Sequence, residues 1–100
     1  MTISAPDTLA PNAVAVSFVA DTLVVVLADG RSLGVPLDWY PRIAEATDAE
    51  RANWRLVARG SGIHWPDIEE DISIAGLIAG RRSQESAASL ARWRASRGVR

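Results

Sequence analysis

One hundred residues without a single cysteine or lysine, carrying a net charge of −1, make one domain with a modest core. The missing cysteines exclude a disulfide framework, a thiol nucleophile and a zinc finger. No apolar run approaches the ~18 residues of a membrane span, and the opening MTISAPDTLAPN lacks the basic-then-apolar order of a secretory signal, so a cytoplasmic protein is expected.

Residues 1–12 hold Pro6, Pro11 and Asn12 with little periodic apolarity and read as a loose leader. From Ala13 the period becomes two. Val14, Val16 and Phe18 alternate with Ala15 and Ser17, as a half-buried strand requires. Leu23, Val25 and Leu27 then alternate with Val24 and Val26, an apolar pattern on both faces that places this second strand in the centre. Asp29-Gly30 is a hairpin signal, because glycine takes a positive φ without penalty. A third strand follows with Leu33 and Val35 inward and stops at Pro36.

The next stretch, PLDWYPRIAEATDAERANW, is helical in short pieces. Asp38 is the expected N-cap, Pro41 fits a first turn, and Tyr40, Ile43 and Ala44 share one face. Thr47 and Glu50 have the spacing of a capping box. WRLVARG (54–60) returns to period two, predicting Trp54, Leu56 and Ala58 on an inner face. After Gly60-Ser61-Gly62 the chain comes back with Ile63 and Trp65 inward and His64 outward, opposite Arg55 or Arg59. ISIAGLIAG (72–80) reads as a short helix closing the core, capped by Asp71 or Ser73.

Strands first and helices after, without a βαβ crossover, indicate an α+β domain: a three-stranded antiparallel meander plus a hairpin, packed with short helices over residues 13–80. Residues 81–100 form an Arg-rich tail, helical from Ser83 to Arg97 and ended by Gly98. The charge is divided unevenly. Residues 1–80 carry five arginines against eleven acids, a balance of −6, whereas residues 81–100 carry six arginines against Glu85 alone, a balance of +5. An acidic body with a basic tail points to an interacting protein.

Three candidate sites follow. GIHWPDIEED (62–71) joins the only histidine to four acids. A metal there lacks a second histidine, and Pro66 separates His64 from the carboxylates. A nucleophile at Ser61 or Ser73 lacks the strand–elbow context of G-x-S-x-G. No catalytic residue, metal or cofactor is therefore expected, and Asp67, Glu69 and Glu70 read as an acidic surface for a basic partner. The second candidate is the tail stripe Leu90, Trp93 and Arg97, at i, i+3 and i+7, sized to enter a partner's groove. The third, an alternative to the second, is nucleic-acid binding through Arg81, Arg82, Arg92, Arg94, Arg97 and Arg100 with Trp93 to stack on a base.

DGRSLGVPLDWYPRIAEATDAERANWRLVARGSGIHWPDIEEDISIAGLIAGR (29–81) resembles the bacterial domain of unknown function 2442, in its D-G-R hairpin, its VPL-W-PR segment and its GIHWP…EDIS close. Glu69 stands where that family usually has aspartate. The resemblance implies no enzymatic activity and names no catalytic residue. Some members of the family are encoded beside, or fused to, a second small family of unknown function, numbered 4160, in predicted toxin–antitoxin modules. The resemblance thus implies an antitoxin-like partner-binding module whose partner is a small basic protein encoded nearby. DNA binding through the tail and self-association are the further expectations; no membrane partner is expected.

Overall fold

The computed structural model describes residues 11–98. Strands β1 (Ala13–Val19), β2 (Thr22–Leu27) and β3 (Ser32–Pro36) form an antiparallel meander in the order β1-β2-β3. The central strand is the doubly apolar one: Leu23, Val25 and Leu27 are buried, while Val24 and Val26 are half-buried on the other face. Each such side chain contributes roughly 1.5–3 kcal/mol on full burial. The first strand departs from strict alternation. Ala13 pairs with Leu27 but Ala15 with Val26, so a bulge at Val14 turns that side chain out to 53% exposure and puts Ala13 in the core instead. The Asp29-Gly30 turn is a three-residue loop, closed by the Leu27 amide on the Arg31 carbonyl at 2.8 Å, with Gly30 at φ 94°.

A 3-10 turn (Leu37–Trp39) leads into α1 (Pro41–Ala44) and α2 (Asp48–Ala52). Asp38 caps nothing. Tyr40 is the N-cap of α1, without a side-chain hydrogen bond, because Pro41 already removes one unsatisfied N–H. The Thr47–Glu50 capping box forms as its spacing predicts, with both reciprocal bonds present.

Strands β4 (Arg55–Val57), β5 (Gly62–Trp65) and β6 (Glu70–Ser73) make a second antiparallel sheet in the order β4-β5-β6. The expected hairpin is therefore three-stranded, because the acidic run supplies a strand as well as a turn. β4 is shorter than the alternation implied: all three residues are exposed, Trp54 is half-buried beside it, and Ala58–Gly60 form a 3-10 turn with Ala58 and Arg59 at positive φ. A Cβ on Gly60 would lie 2.7 Å from the Ala13 carbonyl, so a bare glycine lets this turn meet the start of β1. The apolar run at 72–80 divides. Ile72 and Ser73 belong to β6, and α3 covers Ile74–Ile78, capped by the Ser73 hydroxyl on the Gly76 amide at 2.9 Å.

The inner faces of both sheets, α1 and α3 close around one cluster that includes Val16, Leu23, Val35, Ile43, Ile63, Ile68 and Ile74. Trp65, fully buried at its centre, donates its indole N–H to the Arg51 carbonyl at 3.1 Å. The last helix, α4 (Ala87–Arg97), starts later than Ser83, where the Ser86 hydroxyl accepts from the Ser89 amide. It buries no residue completely, yet Trp93 packs against the edge of the core. The expected boundary at residue 80 is thus bridged by side chains. No helix among the described residues is long and apolar enough to cross a membrane.

Candidate functional site

Strand β6 opens on Glu70, immediately after Glu69, which stands at φ 52° in the tight turn from β5. That turn aims the Glu70 carboxyl into a cleft of about 450 Å³ between β6, the start of α3 and the strap 81–85. Tyr40, Arg42, Ser73, Arg81, Arg82 and Glu85 share its lining. The strap is pinned by the Tyr40 hydroxyl, which donates to the Arg81 carbonyl at 2.7 Å, and by the Ser83 amide on the Trp39 carbonyl at 2.9 Å.

Arg42 organises one wall. Its guanidinium grips Glu85 through both carboxylate oxygens, with the shortest contact at 2.6 Å, and donates to the Ile68 carbonyl at 2.8 Å. Its plane also lies over Trp93, 5.2 Å from the ring centre. Ser89 completes the Glu85 carboxylate at 2.7 Å. These bonds hold the Glu85 carboxyl below its ordinary pKa. Glu70 is the opposite case. Burial first, and then the charge of Glu85, push it up to about 7, against the partial relief of Arg42. Arg42 has committed its donors to Glu85 and Ile68, so the cleft contains one half-buried carboxyl that has no cation of its own.

The three sequence candidates land in different places. Glu69 and Glu70 line the cleft, and Arg81 and Arg82 line it with them. Asp67 does not: it accepts from the Asn53 amide at 2.9 Å. Arg82 lies over the Trp39 ring at 4.9 Å. Of the stripe Leu90, Trp93 and Arg97, the last two face their own domain, and Leu90 is half-buried. Arg97 is bound to Glu50 at 2.8 and 2.9 Å and stacks on Trp93 at 4.5 Å. Arg94, beside them, holds Glu45 through Nε at 2.8 Å. Arg92 is exposed, and Arg100 lies outside the described residues.

His64 sits in a cross-strand ladder, with Arg55 paired on one side and Asp71 on the other, 2.7 Å from Nδ1 to the carboxylate. Among the described residues no three histidine or acidic side chains are placed to hold a metal ion. Ser73 is committed to its cap and Ser61 donates to the Ala58 carbonyl at 2.8 Å.

Sequence reasoning misses Tyr40, Arg42 and Glu85 as members of a site. The Arg42–Glu85 pair spans 43 residues, and no local periodicity marks such a partner. Glu45 and Glu50 are equally hidden as the receivers of the tail arginines, 49 and 47 residues away.

The model of the family described as "Protein of unknown function (DUF2442)" matches residues 13–83. A crystal structure of a protein of unknown function from Rhodospirillum rubrum superposes with a TM-score of 0.66 at 23% identity, over 75% of this chain and 93% of that one. At that identity the likeness is one of fold. The solution structure of an uncharacterized protein from Chromobacterium violaceum gives a TM-score of 0.63 at 27% identity, over 88% of this chain and 77% of that one. No curated protein matches the chain in sequence.

Proposed function

The chain belongs to the DUF2442 family of proteins of unknown function, and we propose that it is a non-catalytic module that binds a small basic protein at the Glu70 cleft. One observation carries the reading: Glu70 is half-buried beside Glu85 and has no cation of its own, so its carboxyl is pushed up to about 7. A carboxylate in that setting gains from any guanidinium or ammonium that enters, because the newcomer relieves both the desolvation and the repulsion. Glu69 at the rim and the acidic body steer a basic protein toward the opening.

The finer reading is an antitoxin-like role in a two-gene system in the cytoplasm. Small toxins that act on nucleic acid are commonly basic, and an acidic surface masks one by complementarity. Its support is the charge of the body and the engagement of His64, Ser61 and Ser73 in local hydrogen bonds with Asp71, Ala58 and Gly76. Co-expression with the product of the adjacent open reading frame, followed by co-purification, tests it. A stable complex with the parent chain that weakens at least tenfold with Glu70→Gln is the expected result. A complex indifferent to that substitution places the contact elsewhere and rejects the cleft. Absence of any complex rejects the two-gene reading.

A further inference from the structure

The tail helix turns its cationic face inward. On α4 the residues Trp93, Arg94 and Arg97 lie within about a third of a turn of one another, at 100° per residue. Both of these arginines are taken by body carboxylates: Arg94 by Glu45, which follows α1, and Arg97 by Glu50, in α2. The bonds hold Glu45 below its ordinary pKa and bring Glu50 down to about 2. The guanidinium groups of Arg42 and Arg97 both lie over the ring of Trp93, 5.2 and 4.5 Å from its centre. The third arginine of α4, Arg92, is exposed and forms no ion pair among the described residues, although its charge reaches Glu85. A helix without a fully buried residue is therefore held largely by charge. Its apolar anchor is a single half-buried tryptophan.

We infer that α4 is a masked nucleic-acid-binding arm, in which Glu45 and Glu50 occupy the two guanidinium sites that phosphates take when the arm swings out. Guanidinium presents the same fork of donors to a carboxylate and to a phosphate, so one set of arginines serves both partners in turn. A bare tryptophan between arginines adds a stacking surface for a base, which an acidic polypeptide would leave unused. Release also moves the arm out of the field of the acidic body, which otherwise repels the same phosphates. Docked and released forms are then two states, and nucleic acid shifts the balance by binding only the second. The arm meets the wall of the Glu70 cleft, where Trp93 lies over Arg42 and Ser89 donates to Glu85, but the masking carboxylates Glu45 and Glu50 are not part of that cleft.

The test compares the full parent chain with the Glu45→Gln/Glu50→Gln pair and with a charge-matched control, Asp21→Asn/Asp38→Asn, whose carboxyls are exposed. The probe is a short DNA strand, single and as a duplex, titrated across a range of salt. Trypsin cleavage at Arg92, Arg94 and Arg97 reports arm release, and a thermal melt confirms that the body stays folded. The glutamine pair should be cut faster and bind DNA on the order of tenfold more tightly, since it no longer loses affinity to a mostly docked population. Single strand should gain more than duplex if Trp93 stacks. Arg94→Ala/Arg97→Ala added to the glutamine pair should abolish the gain and flatten the slope of log K against log salt by about 1.4 for single strand and about 1.8 for duplex. An equal gain in the aspartate control would make net charge the cause and overturn the masking. An unchanged cleavage rate would show that the two glutamates do not hold the arm, with the same consequence. Preferential capture of polyglutamate over DNA by the freed arm would overturn the nucleic-acid assignment.

Discussion

Replacing Glu70 by glutamine should stabilise the protein above neutrality and leave it unchanged in mild acid. The carboxyl rises from an ordinary 4.5 to about 7 in the folded chain. A tenfold change in proton affinity is worth about 1.4 kcal/mol, so the rise sets an upper bound of about 3 kcal/mol. Solvent at the mouth of the cleft screens part of this, so roughly 1–2 kcal/mol is expected. The sign follows from the raised value. The unfolded chain loses the Glu70 proton near pH 4.5 and the folded chain keeps it to about 7, so this group destabilises progressively across that interval and by a constant amount above it. Glutamine cannot ionise and removes the penalty. Thermal melts at pH 4 and pH 8 should show almost no difference at the lower pH and a gain of about 4–10 °C for the variant at the higher. A variant less stable than the parent at pH 8, or an equal shift at both pH values, would refute the presence of an uncompensated carboxyl in the cleft.

Trp65→Ala should cost about 3–5 kcal/mol and unfold so small a domain, because the ring is fully buried and donates to the Arg51 carbonyl. Trp93→Ala should leave the body melting cooperatively, with a loss below about 2 kcal/mol from a half-buried ring; equal damage from both, read by urea denaturation, would make α4 part of the core. The carboxyls of Glu45, Glu50 and Glu85 are all held below their ordinary value. Their contribution is complete above about pH 4.5 and declines as pH falls toward 2, so hydrogen exchange in α4 should accelerate over that range before the sheets open. His64→Ala should shift stability by less than about 1 kcal/mol, and stoichiometric metal that vanished with it would contradict the ladder role assigned to His64.

How far the residues foretell the structure depends on whether each signal is local. β2 announces itself by apolarity on both faces, and Thr47–Glu50 by the spacing of two groups that bond one another directly. The Arg55–His64 pairing follows from a hairpin register fixed by a glycine turn. Val14 defies its alternation because a bulge shifts the pattern without leaving a mark in composition. Glu70-Asp71-Ile72-Ser73 reads as turn and helix because acids are poor strand formers, and pairing with a buried β5 overrides that preference. The acidic patch and the Arg81-Arg82 pair are each visible as charge, but their meeting in one cleft is not. It depends on Tyr40 and Arg42 anchoring the strap from 41 and 43 residues away, and those contacts are properties of the fold.

In the proposed complex a cation of the partner enters beside Glu70 and takes the place of a proton. Calorimetric titration of the full chain with the adjacent gene's product, at pH 7 in two buffers of different ionisation heat, measures that exchange directly. Binding should release about half a proton per complex, since a group with a pKa of about 7 is half protonated there, and affinity should fall as pH drops from 8 to 6. Glu70→Gln should abolish both the proton release and the pH dependence. Binding with no proton release, or with the same release in the variant, would contradict the exchange.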